Sequence, residues 1–226
     1  MENDTKPRSA RRIKGALLCA AVLASSGPVA AEEAKALLGA TLTTDYILDG
    51  LTQTQGKPAL QPYLEVEFPG GFYVGAWLSN VDFGDDTDTL ETDLYLGLRG
   101  QFDAVGYDIT LFQYYYDVTG FCCGELIAAL DFPIYGPVSG SAAYHSFLDG
   151  NYAVEGGLGL TLPSDFELSG TYKTDSVGET WTVGLSRSLS DTLTAEVRYH
   201  DASYAEATTT FSLSWDTEWA ALFGRR

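Results

Sequence analysis

The sequence predicts an all-β protein: a closed antiparallel transmembrane β-barrel of about twelve strands, with short turns at one end and longer loops at the other. Three observations predict it. Apolar residues alternate with small or polar ones through most of the chain, as in "WTVGLSRSLSDTLTAEVRYH" over residues 181–200, and a period of two is the signature of β-strands. Most candidate strands run nine to eleven residues or more, longer than the five or six usual in globular proteins and suited to a tilted membrane crossing. The composition fits as well: 24 Gly, 14 Tyr, 11 Phe and 4 Trp, with only 19% charged residues, fewer than an ordinary soluble domain carries.

Residues 1–31 read as a signal peptide. "RSARRIK" is a basic n-region, "GALLCAAVLASSG" an apolar h-region, and "VAA" before Glu32 a small-residue cleavage site. This leader holds five of the 13 bases and two of the 31 acids, which leaves eight bases, 29 acids and a net charge near −21. Such a chain repels nucleic acid, and no basic stripe exists to bind it. No later stretch approaches eighteen consecutive apolar residues, so a transmembrane helix is not expected.

The barrel is expected over residues 32–216. Its strands fall at 38–48, 59–68, 72–83, 89–102, 105–117, 123–132, 137–147, 152–162, 166–174, 180–189, 193–201 and 207–215. One set of connections is tight: "PGG", "DAVG", "PIYG", "PSD" and "SD". The alternate set is longer or more acidic: "DGLTQTQGKP", "GDDTDT", "VTGFCC", "DGN", "DSVGE" and "ASYAEA". Short periplasmic turns alternating with external loops is the build of outer-membrane barrels, so the expected location is the outer membrane of a Gram-negative bacterium.

Alternation also orients the faces. A soluble core would leave Lys and Glu on the second face, but that face holds Gly, Ser and Thr with scattered acids. Lipid tolerates no unpaired backbone, so the sheet must close. Trp181, Val183, Leu185, Leu193, Val197, Phe211 and Leu213 then face lipid, the small polar set lines the lumen, and Trp181, Tyr199 and Trp215 suit interfacial girdles. The alternative is a secreted β-sandwich.

Carrying the alternation inward gives ten lumen carboxylates: Glu65, Glu67, Glu91, Asp93, Asp108, Glu125, Asp131, Glu155, Glu167 and Glu196. Arg99, Lys173 and Arg198 face them. Charged rings set pore selectivity, so these residues predict a cation-favouring lumen, unless they pair into networks that brace a filled interior. The partners implied are outer-membrane lipids and lipopolysaccharide, small solutes or ions, and the barrel assembly machinery. No cofactor is implied.

A resemblance joins these readings. "TTDYILDGLTQTQGKPALQPYLEV", "GGFYVGAWLSNVDF" and "LETDLYLGLRG" are similar to the TorF family of proteobacterial porin-like outer-membrane proteins. The matching residues are Asp45-Tyr46, Gly50 and Gln53, then Gly71-Phe72-Tyr73, Gly75, Trp77 and Ser79-Asn80, then Glu91, Asp93 and Tyr95. The resemblance implies an outer-membrane barrel with a pore and no established substrate. It departs from the family at Asp49, where a basic residue is expected between Tyr46 and Gly50, and at the end of the chain. There "FSLSW" supplies an alternating terminal strand, but a C-terminal extension over 217–226 follows, in which Trp219, Leu222 and Phe223 suit a short helix.

Other motifs carry less. His145-Ser146 and His200-Asp201 are adjacent on strands and so point to opposite faces, which does not build a nucleophile–base pair; catalysis is not expected. Cys122-Cys123 sits in the third long loop with three readings open: a vicinal disulfide, two thiols, or an intermolecular bond. No His or second Cys pair lies near enough for zinc. "DFGDDTD" lacks the other kinase motifs and the Gly and distal Glu of a calcium loop, and reads as a solvated acidic loop.

Overall fold

The computed structural model describes residues 34–84 and 88–219. Twelve strands close into one barrel: β1 (Lys35–Thr43), β4 (Ala59–Glu67), β5 (Phe72–Asn80), β6 (Leu90–Phe102), β7 (Val105–Tyr116), β8 (Gly120–Tyr135), β9 (Val138–Phe147), β10 (Tyr152–Leu162), β11 (Phe166–Asp175), β12 (Glu179–Ser190), β13 (Leu193–Ala202) and β14 (Ala205–Glu218). Two short strands, β2 (Ile47–Leu48) and β3 (Leu51–Thr52), form a separate hairpin. Every pairing is antiparallel between chain neighbours of the barrel, and β1 closes the ring by bonding both β4 and β14. Closure satisfies every strand edge, the condition for a sheet to cross lipid.

The outer face is apolar, because every second residue of each strand is. Leu94, Leu96, Leu98, Ile109, Leu126, Val154, Leu158, Val183, Leu185 and Leu213 all expose a third or more of their surface. Val197 and Leu193, also expected on this face, are half-buried there. Trp181 and Tyr199 pack at a tilt, ring centroids 5.1 Å apart, and Tyr144 stacks on Tyr152 at 6.0 Å. These are the amphipathic rings expected at a membrane boundary.

Four expectations are corrected. The first strand stops at Thr43, and the residues after it fold into the β2–β3 hairpin. β8 runs from Gly120 to Tyr135, so "VTGFCC" is mostly strand, and Pro133, which lacks an amide donor, lies beside a register shift. The connection before it is only residues 117–119; length asymmetry between the two ends therefore rests on the first two connections, 44–58 and 81–89. Finally, β14 continues beyond Trp215: Thr217 pairs with Leu38 and Glu218 with Leu37. The wall thus includes two residues expected in the 217–226 extension. The leader and residues 220–226, with Leu222 and Phe223, lie outside the described residues.

Candidate pore interior

Directly opposed residues in an antiparallel pair point to the same side of the sheet, so the register fixes the inner face strand by strand. Glu67 pairs with Tyr73, Tyr73 with Gly97, Glu91 with Tyr116, Asp93 with Tyr114 and Arg99 with Asp108. Phe112 pairs with Glu125, Gly106 with Asp131, Glu155 with Lys173, Thr161 with Glu167 and Arg198 with Gly184. Followed round the ring, the pairing puts Glu65, Glu67, Glu91, Asp93, Asp108, Glu125, Asp131, Glu155, Glu167 and Glu196 on one side, with Arg99, Lys173 and Arg198.

The structure sorts them into three groups. At the turn end, Arg99 meets Glu65 at 3.0 Å, Glu67 at 3.5 Å and Asp108 at 3.7 Å. Its guanidinium lies 3.7 Å from the centre of the Tyr73 ring, a cation–π seat for a planar cation, and the Tyr73 hydroxyl bonds Asp108 and Thr110. One base thus serves three acids. Along β11–β13, Arg198 donates to both Glu196 carboxylate oxygens, at 2.9 and 2.8 Å, and to Thr182 and Ser169 at 2.9 Å each. A Cβ at Gly184 would sit 2.6 Å from the guanidinium carbon, so that glycine lets Arg198 lie flat on the wall. Glu167 stands near this group, on β11.

The third group lies near the loop end. Glu125 accepts from the Tyr114 hydroxyl at 2.6 Å and bonds His145 Nδ1 at 2.7 Å. His145 Nε2 lies 3.9 Å from Glu155, and Lys173 stands opposite Glu155. Glu91, bonded by the Tyr116 hydroxyl at 3.1 Å, and Asp93 are both buried on the neighbouring wall. Asp131, by contrast, sits towards the turn end against Gly106. Ser146, the neighbour of His145, pairs with outward-facing Tyr152. His200 Nε2 is 3.0 Å from the Thr210 hydroxyl.

The expectation of a small polar lumen holds for half of the wall and fails for the rest. On β10–β14 the inner face is Gly157, Gly159, Ser169, Thr171, Thr182, Gly184, Ser186, Thr208, Thr210 and Ser212. On β5–β8 it is Tyr73, Tyr95, Phe112, Tyr114, Tyr116 and Ile127, mostly packed into one buried cluster with Ala143 and flanked by Trp77. Composition assigned these aromatics no side. The alternating Leu residues of β6 and β7 take the outer face, which leaves the tyrosines inside.

The site that residue reading missed is the first connection. Asp45 accepts from the Thr52 and Thr54 hydroxyls at 2.6 and 2.8 Å, and the Gln53 amide donates to the Tyr46 carbonyl at 2.7 Å. Between β2 and β3, Asp49 and Gly50 take φ of 46° and 76°, the left-handed pair of a two-residue hairpin turn. "LDGL" carries that signal, since Asp-Gly is a strong short-range hairpin cue, whereas the strand pattern assigns Leu48 to the first strand and the residues after it to one long connection. The Tyr46 ring packs edge-on against inward-facing Trp77 at 5.5 Å. Lys173 Nζ donates to Asp49 Oδ1 and Oδ2 at 2.8 and 3.0 Å, and the Tyr204 hydroxyl donates to the Asp49 carbonyl at 2.8 Å. Burial pushes the Asp49 carboxyl above its ordinary range, opposed in part by Lys173. Burial, with Glu91 and Asp93 nearby, raises the Tyr46 phenol well above its own. Of the residues that carried the family resemblance, Asp45, Tyr46, Gly50 and Gln53 all belong to this folded loop.

Elsewhere at the loop end, Asp88 accepts from the Val118 and Thr119 amides at 3.0 and 2.8 Å. Asp117 accepts from the Thr89 amide and hydroxyl at 2.8 and 2.7 Å, bonds that pull its carboxyl down to about 2. Asp88 is therefore a clip between connections; Asp85 and Asp86 lie outside the described residues. Cys122 and Cys123 form a vicinal disulfide at the start of β8, with Cα atoms 3.8 Å apart. Among the described residues no cluster of His, Cys, Asp and Glu is arranged to hold a metal.

Residues 30–122 match a family described as bacterial protein of unknown function (Gcw_chp). That span includes the segment that resembles the TorF family, which the match leaves unconfirmed. No curated protein matches. Among solved structures, the chain is similar to a KdgM porin, with 11% identity, a TM-score of 0.60, and 80% of this chain and 97% of that chain covered. A KdgM porin in complex with disordered oligogalacturonate matches at 10% identity and a TM-score of 0.58, over 81% and 97% of the two chains. A NanC porin matches at 9% identity and a TM-score of 0.52, over 81% and 98%. At such identities the likeness is one of fold, and the fold is that of porins: a closed transmembrane barrel of twelve antiparallel strands.

Proposed function

We propose that the protein is an outer-membrane channel of a Gram-negative bacterium for passive diffusion of small solutes, favouring cations. The observation that carries this reading is the inner face, where the register gathers ten carboxylates against Arg99, Lys173 and Arg198. Each of these bases is already engaged by a carboxylate, so the inner side of the wall keeps an excess of negative charge, some of it on buried carboxylates such as Glu91 and Asp93 whose field still reaches the lumen. In a narrow, weakly screened lumen, fixed charge of one sign concentrates counter-ions and excludes co-ions. The short turns then face the periplasm, and the connections at 44–58 and 81–89 face outwards. One relative was solved with an oligogalacturonate; the interior here has the sign of charge that repels such a polyanion.

The test is the reversal potential of the reconstituted protein across a salt gradient in a planar bilayer. A cation preference is expected, weakening in 1 M salt, where the Debye length falls to about 3 Å. Replacing Glu91 with Gln and Asp93 with Asn together should reduce it, since the two sit on the same face of β6. A clear anion preference would overturn the reading. Absence of conductance would favour a non-conducting structural or surface-binding barrel, a reading supported by the aromatic cluster that fills part of the interior.

A further inference from the structure

The first connection does not stand out from the barrel as a free loop. One side of it rests on Trp77 of β5, and its tip reaches Lys173 of β11. In the closed strand order, β5 and β11 are six strands apart in either direction. In a ring of twelve that is the largest possible separation, so the segment from Tyr46 to Asp49 crosses the mouth along a diameter. Its contacts are those of a built element. Leu48, Gln53 and Thr54 are buried, and a Cβ at Gly50 would run into Ala202. Lys57 and Asp82 pair at 2.5 Å, and the Asp82 amide donates to the Gln53 carbonyl, which ties this connection to the next.

We propose that the β2–β3 hairpin is the constriction of the pore, and that Asp49 and Lys173 determine the size of solute admitted by latching it to the far wall. The proposal rests on the pore reading above. Its chemistry is specific. Lys173 is almost fully buried, and its ammonium finds a bidentate partner in Asp49 while standing opposite Glu155. A buried charge that loses its partner is strongly disfavoured, so the loop is held across the opening instead of drifting into solvent. The bar divides the mouth: on one side stand Glu91, Asp93 and Tyr116, on the other the small residues of β12–β14. A solute must pass beside it, and the gap is set by where Asp49 is held.

The experiment measures single-channel conductance and the largest polyethylene glycol that still lowers it. The proteins are the wild type, Lys173→Met, Asp49→Asn, the exchanged pair Asp49→Lys with Lys173→Asp, and a variant with residues 47–52 replaced by Gly-Ser. Amide hydrogen exchange across residues 46–54 is followed in parallel, with β12 and β13 amides as the control for an intact barrel. Both single variants should lose protection in 46–54, raise conductance about twofold or more and admit a larger polymer, and the hairpin replacement should do so most. The exchanged pair should restore wild-type behaviour. If the wild type conducts and the single variants and the replacement leave both conductance and polymer limit unchanged, the constriction is overturned while the pore stands. Conductance appearing only when the hairpin is replaced supports the constriction strongly. Silence of every protein, the replacement included, overturns the pore reading and the constriction with it.

Discussion

The two halves of the barrel wall solve the same problem in different ways. On β5–β8 the inner face is built of rings, with Tyr73 edge-on to Tyr95, Tyr95 tilted against Phe112 and Phe112 stacked on Tyr114, centroids 5.4 to 6.2 Å apart. On β11–β13 it is built of Ser, Thr and Gly, and the space is taken by the long side chain of Arg198. Each half uses glycine for close approach: Tyr95 lies over Gly75, and Arg198 over Gly184. The first half is thus a hydrophobic core placed inside a barrel, stabilised by area burial and ring geometry. The second is a polar network, stabilised by hydrogen bonds whose net worth is smaller. The stability of the barrel should be unevenly spread, with most of it on the aromatic side and the water-facing passage on the other.

The largest expected effect tests that division directly. Phe112→Ala should cost about 3–5 kcal/mol through lost burial and an unfilled cavity. Thr182→Ala should cost about 1 kcal/mol, because it removes a hydroxyl bonded to Thr171 and Arg198 but no core volume. Urea titrations of refolded protein in lipid would measure both, and equal costs would erase the distinction between the walls.

A somewhat smaller effect tests the faces rather than the halves. Leu185 and Ser186 are adjacent on β12, one outward and one inward. Leu185→Arg should cost about 2–4 kcal/mol if it lies near the bilayer midplane, and Ser186→Arg much less, since its guanidinium would meet the acidic lumen. A folding titration in which Ser186→Arg proves the worse would reverse the assignment of inside and outside.

A third variant probes selectivity. Arg198→Gln removes a base and releases Glu196 from its ion pair, so the cation preference should rise. Neutralising Glu91 and Asp93 on the opposite wall should lower it. A preference that moved the same way in both proteins would show that fixed wall charge does not set it.

The smallest effect is at the loop end. The Asp117 carboxyl has a folded value of about 2 against about 3.9 in an unfolded chain. A group lowered in this way contributes its tie fully above the unfolded value and loses it as pH falls through the folded one. Protection of the Thr89 and Leu90 amides should therefore persist at neutral pH and fade between about pH 4 and pH 2. In Asp117→Asn it should be weak at every pH; a pH-independent protection in the wild type would exclude the carboxylate as the tie.

Most of the frame was legible in residues alone. Period-two alternation in stretches such as 181–189 and 193–201 places the strands to within a residue or two, because exchanging the faces of a half-lipid, half-water sheet is prohibitive. The same alternation carries each carboxylate, from Glu65 to Glu196, to one side. It failed where local pattern is ambiguous. Tyr73, Tyr95 and Tyr114 are amphipathic rings that suit a membrane boundary as well as a lumen, and only their parity with Leu94 and Leu96 separates the two. Pro133 and Gly120 argued for turns, and neighbouring strands overrode both.

What the sequence determined by itself, then, is the sheet: the number of barrel strands, most of their ends and the side on which the carboxylates lie, all properties of residues two or a few positions apart. What only the tertiary structure decided are contacts between residues far apart in the chain. Asp49 meets Lys173 across 124 positions, and Thr41 bonds Ser214 across 173, where the ring closes. No periodicity encodes such meetings. They exist because closing the sheet brings opposite walls within reach of one hairpin, and because a buried ammonium is stable only where a carboxylate is held against it.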